Sequence, residues 1–401
     1  MSKIKKKSKV IRLTFFLLFF FFLFIFFSCP AQAQDDSSSE TPEKKESPFR
    51  TKLGGYATTV WVFSGSKKNH PSVTLNTNRL RLSLQTFYKE KLSLSLDYDL
   101  EAYTGNLVSS PYWNYIKNDQ AGNYWNLLSG VKAGNAVYLR QALSRAYLTY
   151  EADYARFVAG KQRIAWGVMR FWRPTDLFNA ESPLQIQQGE RIGLDAFRVT
   201  APVTRKGELD VLYSPSRLRR QDMRAGKFMF TMGDYDLTLL GGKIRGSGIS
   251  GFTYDGYVGN GGFRGEIVRI NEPTKKPYYQ WTVGGDYTFP NSLTLTLEYL
   301  NNGGATGQPI NPYLQNSGFL QTTERQLAGF GADYQINPLL RGSTFASYDI
   351  DGKSIAIAPR LIWNYKQNLE LSAGVQFYKG KTNSEFGSYP STLFTQVKFY
   401  F

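Results

Sequence analysis

Two residue types that carry much of enzyme chemistry are nearly missing. The 401-residue chain has one cysteine and one histidine, so a disulfide framework, a thiolate zinc site and a histidine metal cluster are all excluded. Any Ser-His or Asp-His machinery would have to use His70, within Asn69-His70-Pro71, and the reading is therefore no enzyme, no metal and no cofactor. Long apolar runs are scarce too. The one from Leu13 to Phe27 is shorter than the roughly 20 residues a spanning helix needs. Acids are missing from the opening residues, where Lys3, Lys5, Lys6, Lys7, Lys9 and Arg12 stand before that run. With Ala31-Gln32-Ala33 behind it, the stretch 1–33 reads as a cleaved secretory signal peptide. Phe27-Ser28-Cys29 has some likeness to a lipoprotein acylation site, which the bulky Phe26 and Phe27 and the following Pro30 fit badly. Cleavage after Ala33 would remove the cysteine altogether. Residues 34–48 lack aromatics and are rich in Ser, Glu, Asp and Lys; they bury too little apolar area to offset the entropy of ordering and read as a disordered leader.

What is abundant beyond residue 48 is alternation. Leu80, Leu82, Leu84, Leu92, Leu94, Leu96, Tyr98 and Leu100 interleave with Arg81, Ser83, Gln85, Ser93, Ser95, Asp97 and Asp99, and Lys89-Glu90-Lys91 turns the chain between the two runs. A period of two with one greasy face is a strand. The same pattern gives eighteen candidate strands between 52 and 401, with sixteen as the alternative if Arg224 to Met232 is not one. Every second connection is short, as at Gly233-Asp234 and Gly259-Asn260, whereas the others include the long segments 105–137, 166–191, 303–324 and 381–391. This parity predicts an all-β, transmembrane, antiparallel up-and-down β-barrel over 49–401, with both termini on the short-turn side. An average composition of 42% hydrophobic and 20% charged residues conceals the alternation of lipid-facing and lumen-facing side chains.

The chain ends Thr392-Leu393-Phe394-Thr395-Gln396-Val397-Lys398-Phe399-Tyr400-Phe401. Phe399 and the terminal Phe401, with the signal peptide and the turn parity, resemble the Gram-negative outer-membrane porins, whose final strand is read by the assembly machinery. An eighteen-strand count resembles the substrate-specific porins and the polysaccharide-export barrels. The resemblance implies the cell outer membrane, termini in the periplasm, contact with membrane lipid and lipopolysaccharide, and passive diffusion of small hydrophilic solutes. An export conduit for an anionic polysaccharide, or a closed structural barrel, is the alternative. Monomer and trimer both stay open.

A barrel of this size encloses an aqueous path unless loops fill it. Arg79, Arg81, Asp97, Asp99, Arg198 and Arg360 fall on the polar face and are lumen candidates. The segment 160–191 concentrates Arg163, Trp166, Arg170, Trp172, Arg173 and Arg191 and breaks alternation at Pro174 and Pro183. So much apolar and basic content is expected to fold inward as a constriction, where arginine forks would bind anionic groups and flat rings would stack on sugars or aromatic solutes. The excess of Lys and Arg, 48 against 32 acids, agrees with anionic or sugar-like solutes; a secreted barrel has no business with nucleic acid. Gly246 to Gly251 matches a dinucleotide fingerprint by letter only, since a strand pattern follows where a helix would be needed.

Overall fold

Alternation over most of the chain produces strands and little else. The computed structural model describes residues 47–67, 71–117, 123–178, 182–187, 193–218, 221–307, 319 and 322–401. Its strands are β1 (Phe49–Ser64), β2 (Val73–Tyr88), β3 (Leu92–Thr104), β4 (Leu128–Lys132), β5 (Val137–Glu151), β6 (Arg156–Gln162), β7 (Leu194–Thr204), β8 (Gly207–Ser214), β9 (Met223–Met232), β10 (Tyr235–Ile244), β11 (Ser247–Val258), β12 (Gly261–Asn271), β13 (Tyr278–Thr288), β14 (Leu293–Asn302), β15 (Gln326–Asn337), β16 (Leu340–Asp349), β17 (Ser354–Lys366), β18 (Leu369–Lys379) and β19 (Thr392–Tyr400). Two one-turn helices, α1 (Asn106–Ser109) and α2 (Trp113–Ile116), lie in the first long connection.

Each strand pairs antiparallel with the next, except that β3 pairs with β5, and β19 closes on β1 with Tyr56 opposite Tyr400. The wall is thus a closed ring of eighteen strands, β4 being an added strip along β5. The segment Arg224 to Met232 does form a strand, which decides eighteen over sixteen. β6 ends at Gln162 because the chain leaves the wall at Arg163; β4 and the helices carry no alternation long enough to foresee. Gly246 to Gly251 contributes to β11, as its strand pattern requires.

The tight turns follow local chemistry. Lys89 and Glu90 both adopt positive φ between β2 and β3, and Gly233 and Gly259 supply the left-handed residue of the turns after β9 and β11, where a side chain would be strained. At the end of β19, Gly55 N–H donates to the Phe401 carbonyl at 2.8 Å and Phe401 N–H returns a bond to Gly55 at 3.1 Å. The last residue is therefore inside the hydrogen-bonded ring, and no free edge remains there.

The two faces of the wall differ sharply. Leu94, Phe197, Leu239, Leu297 and Leu361 are exposed on one, while their chain neighbours Glu298, Leu240 and Ala196 are buried on the other. The exposed apolar set forms the outward band a bilayer requires. Among the described residues no helix is long and apolar enough to cross a membrane. Inside, three apolar clusters form among the described residues. Ile164, Trp166, Leu177 and Phe178 pack on Leu212, Leu240 and Val268; Trp172 packs on Leu300, Leu327 and Phe345; Trp113 of α2 packs on Tyr103 and Tyr138.

Candidate functional site in the barrel interior

The connection from Arg163 to Gly193 touches inward side chains of β8, β12, β14, β15, β16 and β18. Segments so far apart on a ring can share one loop only if it crosses the interior. Two wall carboxylates hold it. Glu266 of β12 accepts Met169 N–H at 2.8 Å, Thr175 N–H at 2.9 Å and Thr175 Oγ1–H at 2.7 Å, with Val168 N–H as a further donor. Glu298 of β14 accepts Arg170 N–H at 2.6 Å, Phe171 N–H at 3.0 Å and Trp172 N–H at 3.2 Å. The loop thus curls its backbone donors around each negative charge, so that an irregular segment has its polar groups satisfied without a strand partner.

Packing completes the seat. The Phe171 and Trp172 rings lie over Gly331 and Gly329 of β15, where a Cβ would come within 2.6 and 2.7 Å of them. Phe345 of β16 closes the other side, 4.5 Å from the Phe171 ring centroid and 6.0 Å from that of Trp172. Further along, the Leu184 carbonyl accepts Gln376 Nε2–H of β18 at 2.6 Å. Trp166 donates its indole N–H to Asp210 of β8 at 3.1 Å, and Asp210 in turn holds Arg198 in a two-point pair at 2.7 and 2.8 Å.

The arginines have different fates. Arg173 folds back on its own loop, donating to the Met169 carbonyl at 2.6 Å and the Arg170 carbonyl at 3.3 Å. Arg170 keeps its side chain 55% exposed, with Asp286 of β13 at 3.5 Å as an ion partner. Arg163 leaves the wall at the start of the loop with its Nε buried, and Arg191 lies outside the described residues, as does His70.

The wall candidates are largely paired. Arg81 forms a two-point pair with Asp99 at 2.6 and 2.7 Å, and Arg79 bonds Glu101 at 2.7 Å while Arg140 takes the other oxygen of Glu101. Asp97 accepts Ser83 Oγ–H at 2.8 Å and stands 3.6 Å from Arg145. These cations and acids therefore neutralise one another across neighbouring strands. Arg360 bonds Ser372 at 3.0 Å and lies over the Phe394 ring. Among the described residues no group of His, Cys, Asp or Glu is arranged to hold a metal.

The strand alternation puts Glu266 and Glu298 on the inward face but does not show what they do. A signal existed: the residues opposite Glu266 are Thr253 and Thr282, and those opposite Glu298 are Gly284 and Gly329. An inward acid lacking a cross-strand cation needs donors from elsewhere.

Solved structures resemble this arrangement. OccAB2 of Acinetobacter baumannii matches with a TM-score of 0.57 at 10% identity over 88% of this chain and 98% of its own. The outer membrane protein OprD of Pseudomonas aeruginosa matches at 0.57 and 12%, over 88% and 93%. The fold is that of the OprD and Occ outer-membrane porins. A Pseudomonas aeruginosa OpdK structure containing vanillate also matches, at 0.53 and 11%, over 87% and 98%. At these identities it is the porin barrel that is shared. No protein-family model matches the chain and no curated protein does.

Proposed function

We propose that the chain is an outer-membrane channel through which small hydrophilic solutes, anionic or sugar-like, diffuse passively, and that the loop after β6 narrows the lumen. The observation that carries this is the pair of carboxylate seats, which hold the loop across the interior while leaving the Arg170 side chain exposed. The loop covers the inward faces of strands from β8 to β16. The remaining inner wall, formed by β19, β1, β2, β3 and β5, presents Lys398, Tyr56, Arg81 and Arg140, and is the side along which a solute passes. Exposed guanidinium in a narrowed, low-dielectric passage attracts carboxylate or phosphate and selects by sign of charge. That OpdK has been solved with vanillate, an aromatic carboxylate, is in keeping with such a solute. A wide conduit for a polymer chain fits an interior crossed by a fixed loop less well.

In this reading residues 1–33 are removed on export and 34–48 form a periplasmic leader. The short turns and both ends of the mature chain face the periplasm, and Phe399 and Phe401 present the final strand to the assembly machinery. The test is a planar-bilayer measurement under a salt gradient. Arg170→Ala shifts the reversal potential towards cations; an unchanged reversal potential in a conducting channel removes the assigned role of the loop.

A further inference from the structure

The tip of the lumen loop is fixed at its backbone and loose at its side chain. Arg170 N–H donates to Glu298 at 2.6 Å, and the Arg170 carbonyl accepts Arg173 Nη2–H at 3.3 Å. The Arg170 Nε, however, stands 3.5 Å from Asp286 Oδ1, beyond the roughly 3.2 Å of a good N–H···O hydrogen bond. The interior pair of Arg81 and Asp99, by contrast, is a two-point contact at 2.6 and 2.7 Å. Arg170 and Asp286 thus form an open ion pair, which leaves the donor fork of the guanidinium available to another acceptor.

Asp286 has a firmer partner behind it. The ladder sets Arg264 of β12 directly opposite Asp255 of β11, while Gly262 stands opposite Asp286 and Gly284 opposite Arg264. Arg264 holds both acids: its Nε lies 2.8 Å from Asp255 Oδ1, and its Nη1–H donates to Asp286 Oδ1. The two glycines make room for this arrangement. A Cβ on Gly262 would come within 3.1 Å of the Arg264 guanidinium and of Asp286 Oδ2, and one on Gly284 within 2.7 Å of the Glu298 side chain. The result is a row of alternating charge, Asp255, Arg264, Asp286 and Arg170, laid across three strands and onto the loop. Its two cations differ in access: the Arg264 side chain is 9% exposed and that of Arg170 55%.

Such a row is neutral as a whole, and its accessible cation is the one that faces the passage. A solute carboxylate that approaches Arg170 meets a carboxylate already there. It can take that place at little cost, because Asp286 keeps its bond to Arg264 when it gives up Arg170, and no charge is stranded by the exchange. Passive transport needs this balance, with binding strong enough to draw a solute in and weak enough to let it leave.

We propose that Asp286 is a specificity-determining residue of the constriction, a resident carboxylate that competes with the carboxylate of an anionic solute for the Arg170 guanidinium. The proposal rests on the reading of Arg170 as the group that faces the solute. It assigns the release of the solute to the wall of β13, whereas attraction belongs to the loop.

The test is block of the chloride current by benzoate in single channels, with the half-blocking concentration as the readout and heat-shifted gel mobility as the check on folding. Asp286→Asn is expected to lower that concentration about tenfold, and Asp286→Ser serves as a second variant. In an Arg170→Ala background Asp286→Asn is expected to change nothing, since no guanidinium is left to compete for. Asp333→Asn, which removes an inward acid of β15 paired with Arg341, is expected to change it less than about twofold. Wild-type block of both Asp286 variants overturns the competition. So does an equal change in the Arg170→Ala background or from Asp333→Asn, because Asp286 would then be background charge. A wild-type channel that benzoate does not block, or an Arg170→Ala channel blocked as wild type is, overturns the reading of Arg170 and the proposal with it.

Discussion

Removing the Glu298 carboxylate tests the seating of the lumen loop most sharply. Glu298 receives three backbone N–H groups, from Arg170, Phe171 and Trp172. Glu298→Ala leaves them without an acceptor. Hydrogen bonds to a charged group are worth about 1.5 to 3 kcal/mol each, and the lower end applies where water can enter. Three of them give about 4 kcal/mol, a shift of roughly a thousandfold in the ratio of seated to released loop. Glu298→Gln keeps one acceptor oxygen but turns an NH2 group towards the other donors, so it falls between wild type and Glu298→Ala. Single-channel recording in planar bilayers is the assay. A released loop widens the passage and lets it fluctuate, so Glu298→Ala raises conductance and open-state noise. Wild-type conductance and noise, in a barrel with normal heat-shifted gel mobility, would refute the reasoning.

Other consequences follow from the same geometry. Gly331→Ala places a methyl 2.6 Å from the Phe171 ring and costs about 1 to 3 kcal/mol by overpacking; it should raise channel noise as Glu298→Ala does, and a silent substitution would show that the ring is not seated there. Lys161 Nζ lies 2.8 Å from Asp195 Oδ1, both side chains being 1% exposed and bonded to the Trp125 backbone that covers them. Lys161→Met strands the covered Asp195 charge and costs about 3 to 5 kcal/mol, whereas Lys161→Met with Asp195→Leu recovers most of it; the temperature of the folded-to-unfolded gel shift reads both, and equal losses would contradict a covered pair. In the loop before β15, burial and the neighbouring Asp349, Glu385 and Asp351 raise the Glu324 carboxyl to about 7, and burial also raises Glu385. A raised carboxyl stabilises the folded loop below its ordinary range of about 4.5 and loses that contribution as pH rises through about 7. Hydrogen exchange at 322–325 and 384–386, corrected for intrinsic rates, should therefore be slower at pH 5 than at pH 8, and Glu324→Gln should flatten the difference; the opposite order would contradict it.

The wall was legible because its rule is simple and repeated. Alternation from Leu80 to Leu100 needs no tertiary information, and the turn at Lys89-Glu90 fixes its own geometry, so strand borders fell within a few residues of their positions. Parity of connections carried the count, since leaving out β9 would have put long loops on both sides. The interior was less legible. Arg170 and Arg173 are alike in sequence and differ in the structure, one exposed and one bonded to its own loop, because nothing local sets which carbonyls a loop turns inward. Arg81 and Asp99 looked like lumen charge and are a closed pair, which register alone predicts once β2 and β3 are aligned. The seats at Glu266 and Glu298 depend on contacts across about a hundred residues of sequence, which no local pattern encodes. β4 escaped notice for the opposite reason: its five residues hold too few alternations to stand out, and it exists because β6 stops short.

The most direct test of the central claim is the single-channel behaviour of the wild-type chain, purified from outer membranes and inserted in a planar bilayer between unequal concentrations of potassium chloride. The account predicts discrete conductance steps with a reversal potential favouring chloride. Bilayers that stay silent although they contain correctly folded barrel, or a channel with a reversal potential favouring potassium, would contradict it.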